Sequence, residues 1–177
     1  KLIDFLMKKI QLRRRILYFI TTYSMEKYSH GPFEVSGYRV TIANPEKENE
    51  IIMTAWKDFF SENMSDRITD KEYPTVHTVY YNYHDAHNLE KKWYDMLIGY
   101  ITKTGTTQDN PAITTIEIPA QDYRYMTTKD ISPENIFSSW KTINNTPQSE
   151  LVRNYGYDLD MYNADHTELT IAVSVSE

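Results

Sequence analysis

Asp160 and Tyr162 stand two residues apart in the stretch Tyr157-Asp158-Leu159-Asp160-Met161-Tyr162. In a strand that spacing puts a carboxylate and an aromatic ring on one face, with Leu159 and Met161 on the other. A carboxylate withdrawn from water is costly unless it is paired. Among aromatic rings, a lipophilic cation is a fitting partner, because each ring face adds an attraction of roughly 0.5–2 kcal/mol. The rings available for such a site are Trp56, Tyr81, Tyr83, Tyr123, Trp140 and Tyr162, grouped around Asp160, with Glu168 as a second acid. The competing reading is that Trp56 and Trp140 simply fill cores. The chain holds 15 tyrosines, and a residue with a flat apolar body and a polar tip suits a binding surface.

Other chemistries find less support. There is no cysteine, which excludes disulfides, thiolate catalysis and cysteine-ligated zinc. His84-x-x-His87 with Asp85 has a spacing that can bind a metal, but no further ligand accompanies it and a solvated loop is expected. No serine sits in a nucleophile elbow and no glycine-rich phosphate loop occurs. Neither catalytic residues nor a cofactor are expected.

Charge is unevenly spread. Residues 1–24 carry six basic side chains and one acid, a net of +5, so the −6 of the whole leaves −11 for the remainder. An acidic body repels nucleic acid, and no direct nucleic-acid binding is expected. No apolar run is long enough to span a membrane. A cytoplasmic protein is expected.

Positioning these residues requires particular elements. Ile3, Leu6, Ile10, Leu17 and Ile20 recur at helical spacings, so residues 1–24 read as a basic amphipathic helix or extension. Packing, a membrane surface and nucleic acid are its three open uses. It is the expected route to a homodimer or a regulator partner, since 24 residues cannot supply a helix-turn-helix. Phe33 to Ala43 predicts a strand. Asn44-Pro45-Glu46 then starts a helix reaching about Met64, with Ile51, Ala55 and Phe59 on one core-facing ridge and Ile52, Trp56 and Phe60 on another. Strands follow over Val76–Tyr83 and Trp93–Thr102. In the first, Tyr81 and Tyr83 share a face opposite Tyr80; in the second, Gly99 signals a close backbone approach. Ile113 to Met126 predicts an apolar strand, a bend at Pro119 and a Tyr123–Tyr125 pair forming a wall for a ligand. Ser132-Pro133-Glu134 caps a shorter helix with Ile136, Trp140 and Ile143 inward. Tyr157–Tyr162 and Glu168–Val175 close the chain as strands.

Strand, helix, strand, strand is thus written twice, over about 33–103 and 112–175. Tyr38-Arg39-Val40 and Trp56-Lys57 are echoed by Tyr123-Arg124-Tyr125 and Trp140-Lys141. Duplication implies two half-domains packed together within residues 25–177, with a cleft at the seam. The expected fold class is α+β, with an antiparallel sheet and a pocket between the halves.

The chain resembles the effector-binding domain shared by AraC/XylS-type and MerR-type multidrug regulators and by gyrase-inhibitor-like proteins. The resemblance rests on Phe33-Glu34-Val35-Ser36-Gly37, Trp56 with Phe59, Tyr83, Leu97-Ile98-Gly99, Ile118-Pro119-Ala120-Gln121-Asp122-Tyr123, Trp140 and Leu159-Asp160-Met161-Tyr162. It implies a pocket for amphipathic, often cationic, aromatic compounds, and Trp140 near it. Family members without a DNA-binding domain occur, some encoded in integron cassettes. One departure is Asp160, where the family commonly has glutamate.

The expectation is therefore a standalone binding protein for amphipathic, cationic or aromatic small molecules, a sensor or sequestering module. Two alternatives stay open. One is a hydrolase of strained electrophiles using Asp160 or Glu168 with Tyr81 or Tyr123. The other is a protein-binding inhibitor of the gyrase-inhibitor type, its acidic body mimicking nucleic acid.

Overall fold

The computed structural model describes residues 25–176, and the expected first helix lies outside them. Eight strands form one antiparallel sheet: β1 (Glu26–His30), β2 (Phe33–Ile42), β3 (His77–His84), β4 (Trp93–Thr102), β5 (Thr114–Ile118), β6 (Gln121–Thr128), β7 (Asp158–Tyr162) and β8 (Leu169–Val175). Their order across the sheet is β1-β6-β8-β7-β3-β4-β2-β5. The α-helices among the described residues are α1 (Glu48–Ser61), the single turn α2 (Met64–Arg67) and α3 (Pro133–Asn145).

That order is a duplicated unit. The run β2, α1, β3, β4 and the run β6, α3, β7, β8 occupy mirrored places on either side of a seam where β3 pairs with β7. The outermost places hold β5 beside β2 and β1 beside β6. β1 runs into β2, and β5 into β6, through links of two residues, although each pair stands at opposite ends of the sheet. Such a link reaches only about 10 Å, so the two ends approach and the sheet curls. Pro119 lies in one of these links, a place where no ladder hydrogen bond is needed from it.

The sheet curls around one dry face. Val35, Val79, Leu97, Ile118, Tyr123, Leu159 and Ala172, from seven strands, form a single buried cluster there. The helices cover the other face. Ile42, Ala55, Phe59, Met96 and Ile98 form a core under α1, while Ile143, Leu169, Ile171 and Val173 form one beside α3. Trp140 and Tyr162 pack against both. Gly99 faces Gly37 across β4 and β2, where a Cβ on Gly99 would come within 2.1 Å of the Ser36 carbonyl oxygen. The close approach expected at this glycine is real.

Both helix starts use the expected caps. The Asn44 side chain accepts from the Glu46 N–H, opening a 3₁₀ turn over Pro45–Lys47 that leads into α1, and Ser132 Oγ accepts from the Asn135 N–H. Three sequence expectations need correction. Helix α1, expected to reach about Met64, ends at Ser61, before Asn63 adopts φ +51°, and Met64 opens a separate turn. Its second ridge faces the core only in part: Ile52 and Trp56 pack against the core under α1 and also border a cavity, while Phe60, on the same cavity, is 63 % exposed. The Tyr-Arg echo falls on corresponding strands but out of phase, since Tyr38 packs on the helix-covered side while Tyr123 lies in the opposite cluster. The backbone unit is duplicated; that residue match is coincidental.

Candidate functional site

The cavity lies where the two halves meet, between α1 and α3 and over β3, β4 and β7. It encloses about 800 Å³. Its apolar end is built from Ile52, Trp56 and Phe60 on α1, Tyr162 on β7, and Ile131 and Phe137 around α3. Trp56 stacks on Phe60 at 5.7 Å between ring centroids and meets Tyr162 edge-on at 5.9 Å. Tyr83 and Tyr94 line the other end, 5.3 Å apart.

Asp160 lies between them on β7, only 2 % exposed. Alternation along β7 sends Leu159 to the dry cluster and Asp160 to the cavity. Its Oδ2 accepts from the Tyr80 hydroxyl at 2.8 Å, and the Trp140 indole N–H donates to Oδ1 at 3.1 Å. The Tyr80 and Trp140 rings meet edge-to-face at 5.0 Å. Both donors are neutral, and among the described residues no basic group forms an ion pair with Asp160. Burial therefore pushes its pKa up to about 7, with the Asp158 charge adding to the rise and the Tyr80 and Trp140 hydrogen bonds opposing it. Burial, followed by the neighbouring Asp160 charge, in turn holds the Tyr80 hydroxyl well above its ordinary range.

Two acids close to Asp160, Glu48 in the wall and Asp158 beside it on β7, are already engaged. Glu48, in the first turn of α1, accepts from the Tyr94 hydroxyl at 2.6 Å and pairs with Lys92 at 3.2 Å. Asp158 is saturated: Arg153 and the Tyr83 hydroxyl bond its Oδ2, and Ser174 donates its N–H and hydroxyl to Oδ1. Thus a cationic group entering the cavity meets several ring faces and a buried carboxylate without a charged partner.

Of the residues singled out from the sequence, Trp56, Tyr83, Trp140, Asp160 and Tyr162 line this cavity. Tyr81, Tyr123 and Glu168 do not. Tyr123 is buried in the cluster on the other side of the sheet, and Tyr81 packs against that cluster, stacked on Tyr157 at 5.8 Å. The Tyr123–Tyr125 wall is therefore part of the sheet's own core. Glu168 stands before β8 in the hairpin turn, its N–H donating to Asn163 Oδ1. Tyr83 reaches the cavity against its expected parity with Tyr81. A bulge between Tyr81 and His84, with Asn82 at φ +54°, turns the strand and brings Tyr83 to the side of Tyr80.

Tyr80, Tyr94, Glu48, Lys92, Arg153 and Tyr155 are lining residues that the sequence reading did not single out. Alternation does put Tyr94 on the face of Met96 and Ile98, and Tyr80 opposite Tyr81. What it lacks is a sign of which face carries the cavity. In the His84-x-x-His87 stretch, His84 stacks on Trp93 at 3.7 Å, and among the described residues no three or more His, Asp or Glu side chains gather as a possible ion site. Among them, no helix is long and apolar enough to cross a membrane.

Residues 29–175 match the family model described as integron-associated effector binding protein. The chain belongs to this family. A comparison of the sequence with curated proteins gives no significant match. Among solved structures, it is similar to an integron cassette protein from the mobile metagenome of Vibrio cholerae, at 21 % identity, over 86 % of this chain and 96 % of that one, with a TM-score of 0.67. It is also similar to SAV2435, solved bound to tetraphenylphosphonium, at 10 % identity over 86 % and 93 % of the two chains, TM-score 0.68. A Staphylococcus aureus MU50 protein described as a bacterial transcription regulation protein matches at 12 % identity over 86 % and 98 %, TM-score 0.64. At these identities the likeness is one of fold: this integron-associated family member shares the α+β effector-binding architecture.

Proposed function

We propose that this protein binds lipophilic cations carrying aromatic groups, in the cavity between α1 and α3. The observation that carries the proposal is Asp160: a carboxylate 2 % exposed, held by two neutral donors and lacking a counter-charge. A cation supplies that charge, and Trp56, Tyr80, Trp140 and Tyr162 supply the ring faces. The cation complex of SAV2435, which has the same fold, supports the choice of ligand class. Such a module would act in the cytoplasm as a sensor or a sequestering protein for multidrug-type compounds.

Tetraphenylphosphonium titrated against the intrinsic tryptophan fluorescence is the direct test. Saturable quenching is expected, and Asp160→Asn should weaken it by about tenfold or more, since charge-assisted contacts contribute roughly 1.5–3 kcal/mol. Absence of binding, or equal binding by the Asn variant, would refute the proposal.

A second reading, hydrolysis of a strained electrophile, is favoured by one feature: the Tyr80 hydroxyl lies 2.8 Å from Asp160. That pair could hand a proton to a leaving group while the carboxylate orients water. With Tyr81, Tyr123 and Glu168 outside the cavity, Tyr80 and Asp160 are the pair to test. Product detected by mass spectrometry in wild type but not in Tyr80→Phe would support it.

A further inference from the structure

Arg153, like Asp160 and Lys92, is a charge sunk into the cavity wall, and cation binding makes no use of it. It is 9 % exposed. One N–H of Nη1 donates to Asn144 Oδ1 at 2.8 Å, and Nη2 bonds Asp158. A guanidinium carries five N–H groups. These two bonds leave three, and the buried Nε has no acceptor. Asp158 balances its charge, so what Arg153 still offers is hydrogen-bonding capacity.

The surroundings hold this fork rigidly. The Tyr155 ring lies 4.4 Å from the guanidinium carbon, and the Trp140 ring lies 5.9 Å from it. Tyr155 takes φ +54°, a backbone region that bulky residues rarely adopt. It is kept there between Tyr83 and His87, at 5.6 and 5.0 Å. Trp140 links the two charges, since its N–H bonds Asp160 and its ring flanks Arg153. An acid and a base therefore sit on either side of one indole, in one cavity. Across the whole wall, Glu48, Glu134 and Asp160 are matched in number by Lys92, Lys141 and Arg153. A wall so balanced is not a general trap for positive charge.

We propose that Arg153 forms a second subsite for an oxygen acceptor on the ligand, a carboxylate best of all, so that the preferred ligands are aromatic cations bearing an acceptor arm. This rests on the reading that Asp160 takes the cation. It narrows the ligand class from lipophilic cations to zwitterionic or acceptor-bearing ones. Guanidinium N–H groups match a carboxylate in a planar fork, which a lysine ammonium does not reproduce.

The test is calorimetric titration of the full chain at pH 8 with two probes of like size, (4-carboxybutyl)triphenylphosphonium and pentyltriphenylphosphonium. Wild type should bind the carboxylate probe about tenfold more tightly, as expected for one added charge-assisted contact. Arg153→Lys keeps a positive charge beside Asp158 and removes the fork, and the preference should shrink to about threefold or less. Equal binding of the two probes by wild type overturns the second subsite and leaves cation binding standing. An undiminished preference in Arg153→Lys also overturns it, because another base must then hold the carboxylate. If neither probe binds, both readings fall.

Discussion

Cation affinity should depend on pH through Asp160. The group sits at about 7 in the empty cavity because burial disfavours its charge. A permanent cation such as tetraphenylphosphonium favours the ionised form, so binding requires the proton to leave. The apparent dissociation constant then scales as one plus the ratio of proton concentration to the acid constant. With a pKa of about 7, affinity is near its maximum at pH 8, about tenfold weaker at pH 6 and about a hundredfold weaker at pH 5. The groups facing Asp160 do not imitate this profile. Tyr80, Tyr94 and Tyr162 are all shifted upward, away from the window, chiefly by burial. His77, on the neighbouring strand, is pushed down to about 4 by burial and stays neutral through it. Fluorescence titrations from pH 5 to 8 give the profile, and calorimetry in buffers of different ionisation enthalpy counts the proton released. Asp160→Asn should flatten the curve. A wild-type affinity constant within about twofold over that range, or a slope retained by the Asn variant, would refute the assignment, since a group titrating near 7 must give the larger change.

The same displacement predicts a stability effect of opposite sense. The folded carboxyl holds its proton up to about 7 and the unfolded one only to about 3.8, so the empty protein should lose stability as pH rises between these values, by on the order of 4 kcal/mol in full. Asp160→Asn should therefore melt higher than wild type at pH 8 and alike at pH 4, as followed by circular dichroism. Trp140→Phe keeps a ring but removes one of the donors that favour the carboxylate, so the midpoint of the affinity profile should move up in pH, while Trp56→Phe should leave it in place. Asp158→Asn strips Arg153 of its buried partner and should cost about 3–5 kcal/mol in chemical denaturation. A loss below about 1 kcal/mol would mean that water reaches Arg153.

Much of this molecule is legible in the sequence wherever a local rule operates. The caps at Asn44 and Ser132, the strand Trp93–Thr102 and the contact at Gly99 follow from turn chemistry and alternation. Asp160 and Tyr162 share the cavity face because a five-residue strand preserves parity. Parity fails where the backbone departs from it. The bulge at Asn82 moves Tyr83 across the sheet, and an asparagine, although it tolerates a positive φ, also sits in ordinary strand and so marks the bulge less firmly than a glycine would. Which face of a two-sided sheet carries the cavity is a tertiary matter, decided by where the helices pack. That is why the sequence pattern groups Tyr81 and Tyr123 with the site and leaves out Tyr80 and Tyr94. Nothing in the sequence marks Arg153, because it lies in an irregular stretch after Pro147, where periodicity has nothing to report.

Two aspartates on one strand show how the fold separates structural from available charge. Asp158 and Asp160 are two residues apart, on one face, and both are buried. Asp158 receives a guanidinium, a phenol, a hydroxyl and a backbone N–H, which together compensate its ionised form. Asp160 receives a phenol and an indole, enough to orient the carboxylate but not to neutralise it. Had a lysine or arginine reached Asp160, the pair would be satisfied without a ligand, and an incoming cation would have to displace it. Had the donors been absent, the acid would stay protonated well above neutrality and present no charge. The intermediate arrangement keeps the carboxyl poised near neutral pH. In the proposed function, a cation is then both the partner the carboxylate lacks and the trigger for its ionisation.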